Sequence, residues 1–265
     1  MERLVGYLGR ETLALLASAG RVGGLISSTG YWTFLAPLRW RRAIRWGSAL
    51  DQAVKMGVEA VPIVFLITFS TGLIIAMQSA YQLRRFGALV FTANLVGVAM
   101  TRELAPLITA IVVAGRSGSA IAAELGTMKV SEEVDALNTM GLNPVRFLVV
   151  PRMLALVLVL PCLTVFADFM GIFGGLVLAV TQLELGSARY LNQTVEALVL
   201  ADFLTGLVKS FVFALIIGQV GCYQGLRVEG GAGGVGRNTT ASVVASIFLI
   251  ILADLIFTAL FYFTG

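Results

Sequence analysis

VPIVFLITFSTGLIIAM, residues Val61 to Met77, runs without one charged side chain. A bilayer core asks for about 20 predominantly apolar residues in a helix, and the mixed stretch Leu50 to Ala60 leads into this run. The segment reads as a membrane span. The remainder of the chain fits that reading: 58% of the 265 residues are hydrophobic and 13% charged, against about 25% charged for a soluble domain. Mean hydropathy is +0.90. A soluble core of this size cannot hide so much apolar surface, so lipid is the solvent for part of it.

Outward from Val61–Met77, a short polar loop, Ser79 to Gly87, carries Tyr81, Arg84 and Arg85. The next apolar stretch, Ala88 to Gly126, contains Arg102, Glu103, Pro106, Arg116 and Glu124. As a helix it extends about 58 Å, longer than the bilayer core. It either breaks near Pro106 or continues as one long kinked helix, the preferred reading. After the polar stretch Lys129 to Pro151, apolar runs resume at Met153 to Val180, Phe203 to Cys222 and Ala241 to Phe263. The expectation is an all-α membrane protein of five transmembrane helices.

The net charge of +4 is unevenly placed: Arg3, Arg10, Arg21, Arg39, Arg41, Arg42, Arg45 and Lys55 all precede residue 56. Together with the interrupted apolar pattern Leu4, Leu8, Leu15, Leu16, Val22, Leu25 and Ile26, they describe an interfacial amphipathic helix region over residues 1–50, facing anionic lipid rather than nucleic acid. The transmembrane domain is then 51–265. Counting Lys and Arg puts the N-terminus, the Lys129–Pro151 loop and the Gly-rich loop after Cys222 in the cytoplasm, and the acidic loop Thr181–Asp202 outside. Arg84 and Arg85 run against this orientation.

Several chemistries are excluded. Without histidine, His-based triads and His metal sites are absent. Cys162 and Cys222 lack metal-ligand spacing and read as packed free thiols. Gly231, Gly233 and Gly236 match G-x-G-x-x-G without the strand that a dinucleotide fold requires, and read as a flexible loop. Nothing here binds a nucleotide or a cofactor.

Three constellations remain. The first is SEEVDALNTMGLNPVRF, Ser131 to Phe147. Ser131 with Glu132 and Glu133 suits a helix start, Val134, Leu137 and Met140 share a face, and Gly141 with Asn143-Pro144 ends the helix. Such a helix either rests on the membrane surface or docks in a partner's groove. The second is a set of small residues at intervals of four: Gly115 and Ser119; Gly118, Ala122 and Gly126; Gly171 and Gly175; Gly221 and Gly225. They serve helix packing within one subunit or a dimer seam. The third is intramembrane charge: Arg102, Glu103, Arg116, Asp168, Lys209 and Asp254. Each costs at least about 2.5 kcal/mol at the bilayer centre, so all must face protein, water or one another. Glu103 with Lys209 and Arg102 with Asp254 is a plausible pairing, serving either structure or a polar belt that meets a lipid headgroup.

The order Arg-Glu-Leu-x-Pro, Ala-Gly-Arg-x-Gly-Ser-Ala, Ala-Glu-x-Gly and a later Pro-Arg within TRELAPLITAIVVAGRSGSAIAAELGTMKVSEEVDALNTMGLNPVRFLVVPRMLA, Thr101 to Ala155, resembles the MlaE/YrbE permease family. The endings VKSFVFA and DLIFTALF are similar too. The resemblance implies the membrane subunit of an ABC lipid transporter in the bacterial inner membrane, a homodimer working with a cytoplasmic ATPase that binds the ATP and with a periplasmic MCE-domain protein. It implies a coupling helix to the ATPase over Ser131–Asn143, with Glu132, Glu133, Val134, Leu137 and Met140 at the contact. Phospholipid is then held between protomers near Leu66, Phe69, Ser70, Leu73, Ile74 and Met77, and Arg102, Glu103, Lys209 and Asp254 form the charge network. The rivals are an ion-coupled secondary transporter, against which stands the lack of an inverted repeat, and a non-transporting anchor for an MCE assembly.

Overall fold

The computed structural model describes residues 20, 23–35, 46–183 and 185–264, and among these there is no strand. Most of the interfacial region expected over residues 1–50, including Leu4, Leu8, Leu15, Leu16 and Val22, lies outside the described residues. Its described residues are 20, helix α1 (23–35) and 46–50. Next come α2 (Trp46–Val58) and the first span α3 (Val61–Leu83), continued by a 3₁₀ turn, Arg84–Phe86. The second span α4 is Leu89–Val130. A short helix α5 (Glu133–Thr139) precedes the third span α6 (Val145–Gln182). An amphipathic helix α7 (Ser187–Ala197), the fourth span α8 (Leu200–Leu226) and the fifth span α9 (Gly231–Thr264) complete the chain.

The five apolar helices match the expected number of spans. Their ends differ from the sequence reading wherever backbone continuity prevails over side-chain polarity. Ser79–Leu83 extends α3 rather than forming a loop. Gly231, Gly233 and Gly236, expected in a flexible loop, form the first turns of α9. Leu50–Ala60 is largely a separate helix, and the acidic loop contains α7. Of the two thiols expected to be packed, Cys222 is buried but Cys162 is exposed.

The stretch from Ala88 resolves as one long helix. It carries two π segments, Met100–Leu104 and Ala114–Gly118, and Pro106 sits just after the first. A π-bulge absorbs the register change that proline's missing N–H imposes and re-aims the side chains within it.

The third span is central: 67% of its most apolar window is buried inside the protein, against 22% for α3 and 11% for α9. It is held by close backbone approach. A Cβ on Gly72 of α3 would strike the Gly171 carbonyl of α6, and one on Gly174 would strike the Phe69 carbonyl. Gly171 also receives Met100, and Gly175 receives Tyr190 of α7 and Val96. Gly118, Gly221 and Gly225 serve the α4–α8 contact, and Gly126 receives Val228 and Val235. These small-residue faces pack helices within one chain.

Candidate functional site

The π segment Met100–Leu104 presents Arg102 and Glu103 to α8 in two directions. Lys209 of α8 is fully buried, and its ammonium donates to Glu103 Oε2 at 2.5 Å and to Thr258 Oγ1 at 2.9 Å. Asp254 Oδ1 of α9 lies 2.9 Å from the same nitrogen. The Thr258 hydroxyl also stands 3.1 Å from Glu103 Oε1. One buried cation thus joins the second, fourth and fifth spans around two carboxylates.

The expected Glu103–Lys209 pair is therefore formed. The expected Arg102–Asp254 pair is not. Arg102 lies 3.5 Å from Asp202, the third residue of α8, while Asp254 goes to Lys209. The reason is geometric: neighbours on a helix project about 100° apart, so the two side chains reach positions seven residues apart on α8. Asp202 was missed as a partner because its place in an apparent loop concealed it. Its carboxylate also accepts from the Val199 N–H, a capping contact that fixes the start of α8. Thr258 gave no sequence signal, since hydroxyls in apolar helices commonly bond only their own backbone.

Other charges settle elsewhere. Arg116, in the second π segment, pairs with Glu59 between α2 and α3. Glu124 accepts from Lys55 at 2.8 Å and from Arg152 at 3.1 Å, joining α2, α4 and α6. The hydrogen bond to Glu124 raises the Lys55 ammonium above its ordinary pKa. Asp168 is buried in α6, with one carboxylate oxygen unbonded among the described residues.

The six first-span positions share one side of α3. Val64, Thr68, Gly72, Ala76 and Ala80 form its buried stripe, whereas Leu66, Ile74 and Met77 are more than half exposed. Phe69, Ser70 and Leu73 flank that surface, half-buried, with Phe69 stacked on Phe65 and tilted against Phe173 of α6.

Helix α5 begins two residues later than the sequence suggests. Ser131 ends α4, and Glu132 takes a left-handed backbone (φ 60°) before the helix opens at Glu133. Its end is a Schellman turn: Leu142 N–H donates to the Leu137 carbonyl and Gly141 N–H to the Asn138 carbonyl, with Gly141 left-handed at φ 73°. Asn143, read as a helix stop, caps α6 through the Val145 N–H. Val134 is buried against the chain's own core and is no outward anchor; Leu137 is half-buried, and Met140 is 65% exposed. A groove of about 440 Å³ runs here between Glu133, Leu137, Met140, Met128, Phe147 and Arg152.

Five apolar spans, three of them joined by a buried charge cluster, with a short helix and groove at one end, describe a multi-pass membrane protein. The family described as permease MlaE matches residues 49–260. A probable ABC transporter permease protein of Rickettsia conorii is 40% identical over 259 residues, 98% of each chain. Another, from Synechocystis sp., is 39% identical over 207 residues, covering 78% of this chain and 79% of its own. The chloroplast protein Trigalactosyldiacylglycerol 1 of Arabidopsis thaliana is 35% identical over 219 residues, 83% of this chain and 63% of its own length. The chain belongs to the MlaE permease family.

Proposed function

We propose that this permease is the membrane subunit of an ABC transporter that moves phospholipid between the inner membrane and a periplasmic MCE-protein complex, maintaining envelope lipid asymmetry. It works as a homodimer. A separate cytoplasmic ATPase binds and hydrolyses ATP, docking on the groove beside α5. The N-terminus and α5 face the cytoplasm; α7 faces outward. The observation that carries the reading is the uncovered side of the first span, where Leu66, Ile74 and Met77 stand exposed opposite a glycine- and alanine-lined buried stripe. Two such faces meeting across a dimer enclose an apolar cavity suited to acyl chains. The plant relative is named for a diacylglycerol lipid, which is consistent with that cargo.

No covalent chemistry is required of this chain. ATP binding on the partner draws the two protomers together through α5, and the cavity between first spans changes volume. The Lys209 cluster ties α4, α8 and α9 into one body, α5 is joined to α4 through a two-residue link, and α6 packs on both Met100 of α4 and the α3 backbone, a route by which movement at α5 reaches the cavity.

The test is co-purification with a co-expressed ATPase, wild type against Met140→Asp, with extracted lipid identified by mass spectrometry. Met140 is exposed, so the charge leaves the fold intact. The expected outcome is loss of ATPase from the variant and phospholipid in the wild-type complex. An ATPase that never associates with the wild-type chain overturns the reading.

A further inference from the structure

Two cavities away from the first span lie end to end along α8. The first, of about 790 Å³, is lined by Leu25 of α1, by Tyr223, Gln224 and Arg227 at the end of α8, by Glu229, and by Arg237 and Asn238 of α9. The second, of about 510 Å³, begins one helical turn back at Gln219 and Val220 and runs to Phe211. Its other walls are Thr29, Gly30 and Thr33 of α1, Val157 of α6 and Leu249 of α9, and it is almost wholly apolar. The volumes sit within the range of ligand pockets, about 300 to 1,000 Å³.

The polarity is ordered. Arg227 and Arg237 are exposed at the outer cavity, with no carboxylate in ion-pair range among the described residues. With Glu229, the lining carries a net positive charge. Where the two linings approach each other along α8, the Tyr223 hydroxyl of the first and the Gln219 amide oxygen and Thr33 hydroxyl of the second are buried without a hydrogen-bond partner among the described residues. Beyond them the walls are hydrocarbon. Cationic mouth, unpartnered polar groups and apolar interior follow one another over Arg237 to Leu249, about 18 Å along α9.

We propose that this paired cavity is a binding site for an anionic phospholipid, separate from the first-span face. The phosphate sits between Arg227 and Arg237, where guanidinium groups suit it best. The ester carbonyls accept from Tyr223 and Thr33. One acyl chain fills the space between Val157, Leu215 and Leu249. The site lies at the same end of the bundle as α5, because Gly126 near the end of α4 packs on Val228 and Val235. In the orientation proposed above this is the cytoplasmic leaflet, where anionic headgroups draw basic side chains. The inference rests on that reading only for the leaflet; the chemistry of the pocket stands by itself.

Native mass spectrometry of the full-length chain with phosphatidylglycerol or phosphatidylethanolamine micelles tests it. Wild type should retain phosphatidylglycerol preferentially. Arg227→Glu with Arg237→Glu should weaken that retention about tenfold or more. A second variant crowds the interior: Gly30 lines the apolar cavity and a Cβ there meets nothing within 4 Å, so Gly30→Leu adds bulk at the cavity wall without a clash and should also displace the lipid. Soluble glycerol phosphate should not compete. Unchanged retention in both variants overturns the site, as does displacement by glycerol phosphate, which marks a bare anion pocket. Ile74→Trp separates this proposal from the first-span reading. If it alone removes phosphatidylglycerol, the lipid belongs to the first-span face. If it changes nothing while the arginine variants do, the present site stands and the first-span reading falls.

Discussion

Lys209 shows why a charge can persist inside an apolar bundle. Its side chain is wholly buried, yet Glu103, Asp254 and Thr258 surround the ammonium, so its desolvation is offset by three contacts. Removing the cation leaves two carboxylates facing each other in a poor solvent. Lys209→Met is expected to cost about 3 kcal/mol or more, seen as a clear fall in melting temperature of the detergent-solubilised protein. Glu103→Gln added to Lys209→Met should cost less than the sum of the single changes, because the residues share one contact. Additive losses would show that the pair is not coupled. Sequence spacing made Glu103 and Lys209 legible as partners, since each needed one. It misassigned Arg102, because Asp202 and Asp254 were equally eligible until the start of α8 was fixed.

At the scale of elements, the glycines separate into those that carry a helix contact and those that do not. Gly72 admits the Gly171 backbone and has no room for a Cβ, whereas Gly115 has nothing within 4 Å of the same position. Gly72→Leu is expected to prise α3 from α6 and abolish recovery of monodisperse protein. Gly115→Ala should be neutral or slightly stabilising, by up to about 1 kcal/mol from helix propensity. Size-exclusion profiles and thermal melts of the two variants distinguish these outcomes. Helix α5 belongs to the same scale. Its end is a left-handed glycine, so Gly141→Val, with a β-branched side chain at φ 73°, should loosen the Schellman turn and reduce ATPase co-purification. Unaltered association would mean that the turn does not position the docking groove. Periodicity announced this helix, but two residues too early, because Ser131 suits a helix end as well as a start when its hydroxyl bonds back to Thr127.

For the whole molecule, the distribution of burial matters more than any one contact. The third span is enclosed and the first and fifth are peripheral, which leaves the Leu66–Met77 side of α3 open to lipid or a second protomer. Ile74→Cys, placed in a Cys162→Ser background because Cys162 is exposed, should give a covalent dimer in membranes with a bismaleimide long enough to span the cavity. A wholly monomeric band after complete reaction would mean that the two first-span faces do not meet across a dimer. Run length and composition were enough to determine the class and the number of spans, because the bilayer requires long unbroken apolar helices whatever their packing; the likeness to MlaE permeases lay in the order of motifs within Thr101–Ala155. Which side of each span faces inward, that Arg102 meets Asp202 rather than Asp254, and how the two cavities line up along α8 were decided by the tertiary structure alone. The five spans are apolar nearly all round, so their sequences carry little trace of their orientation.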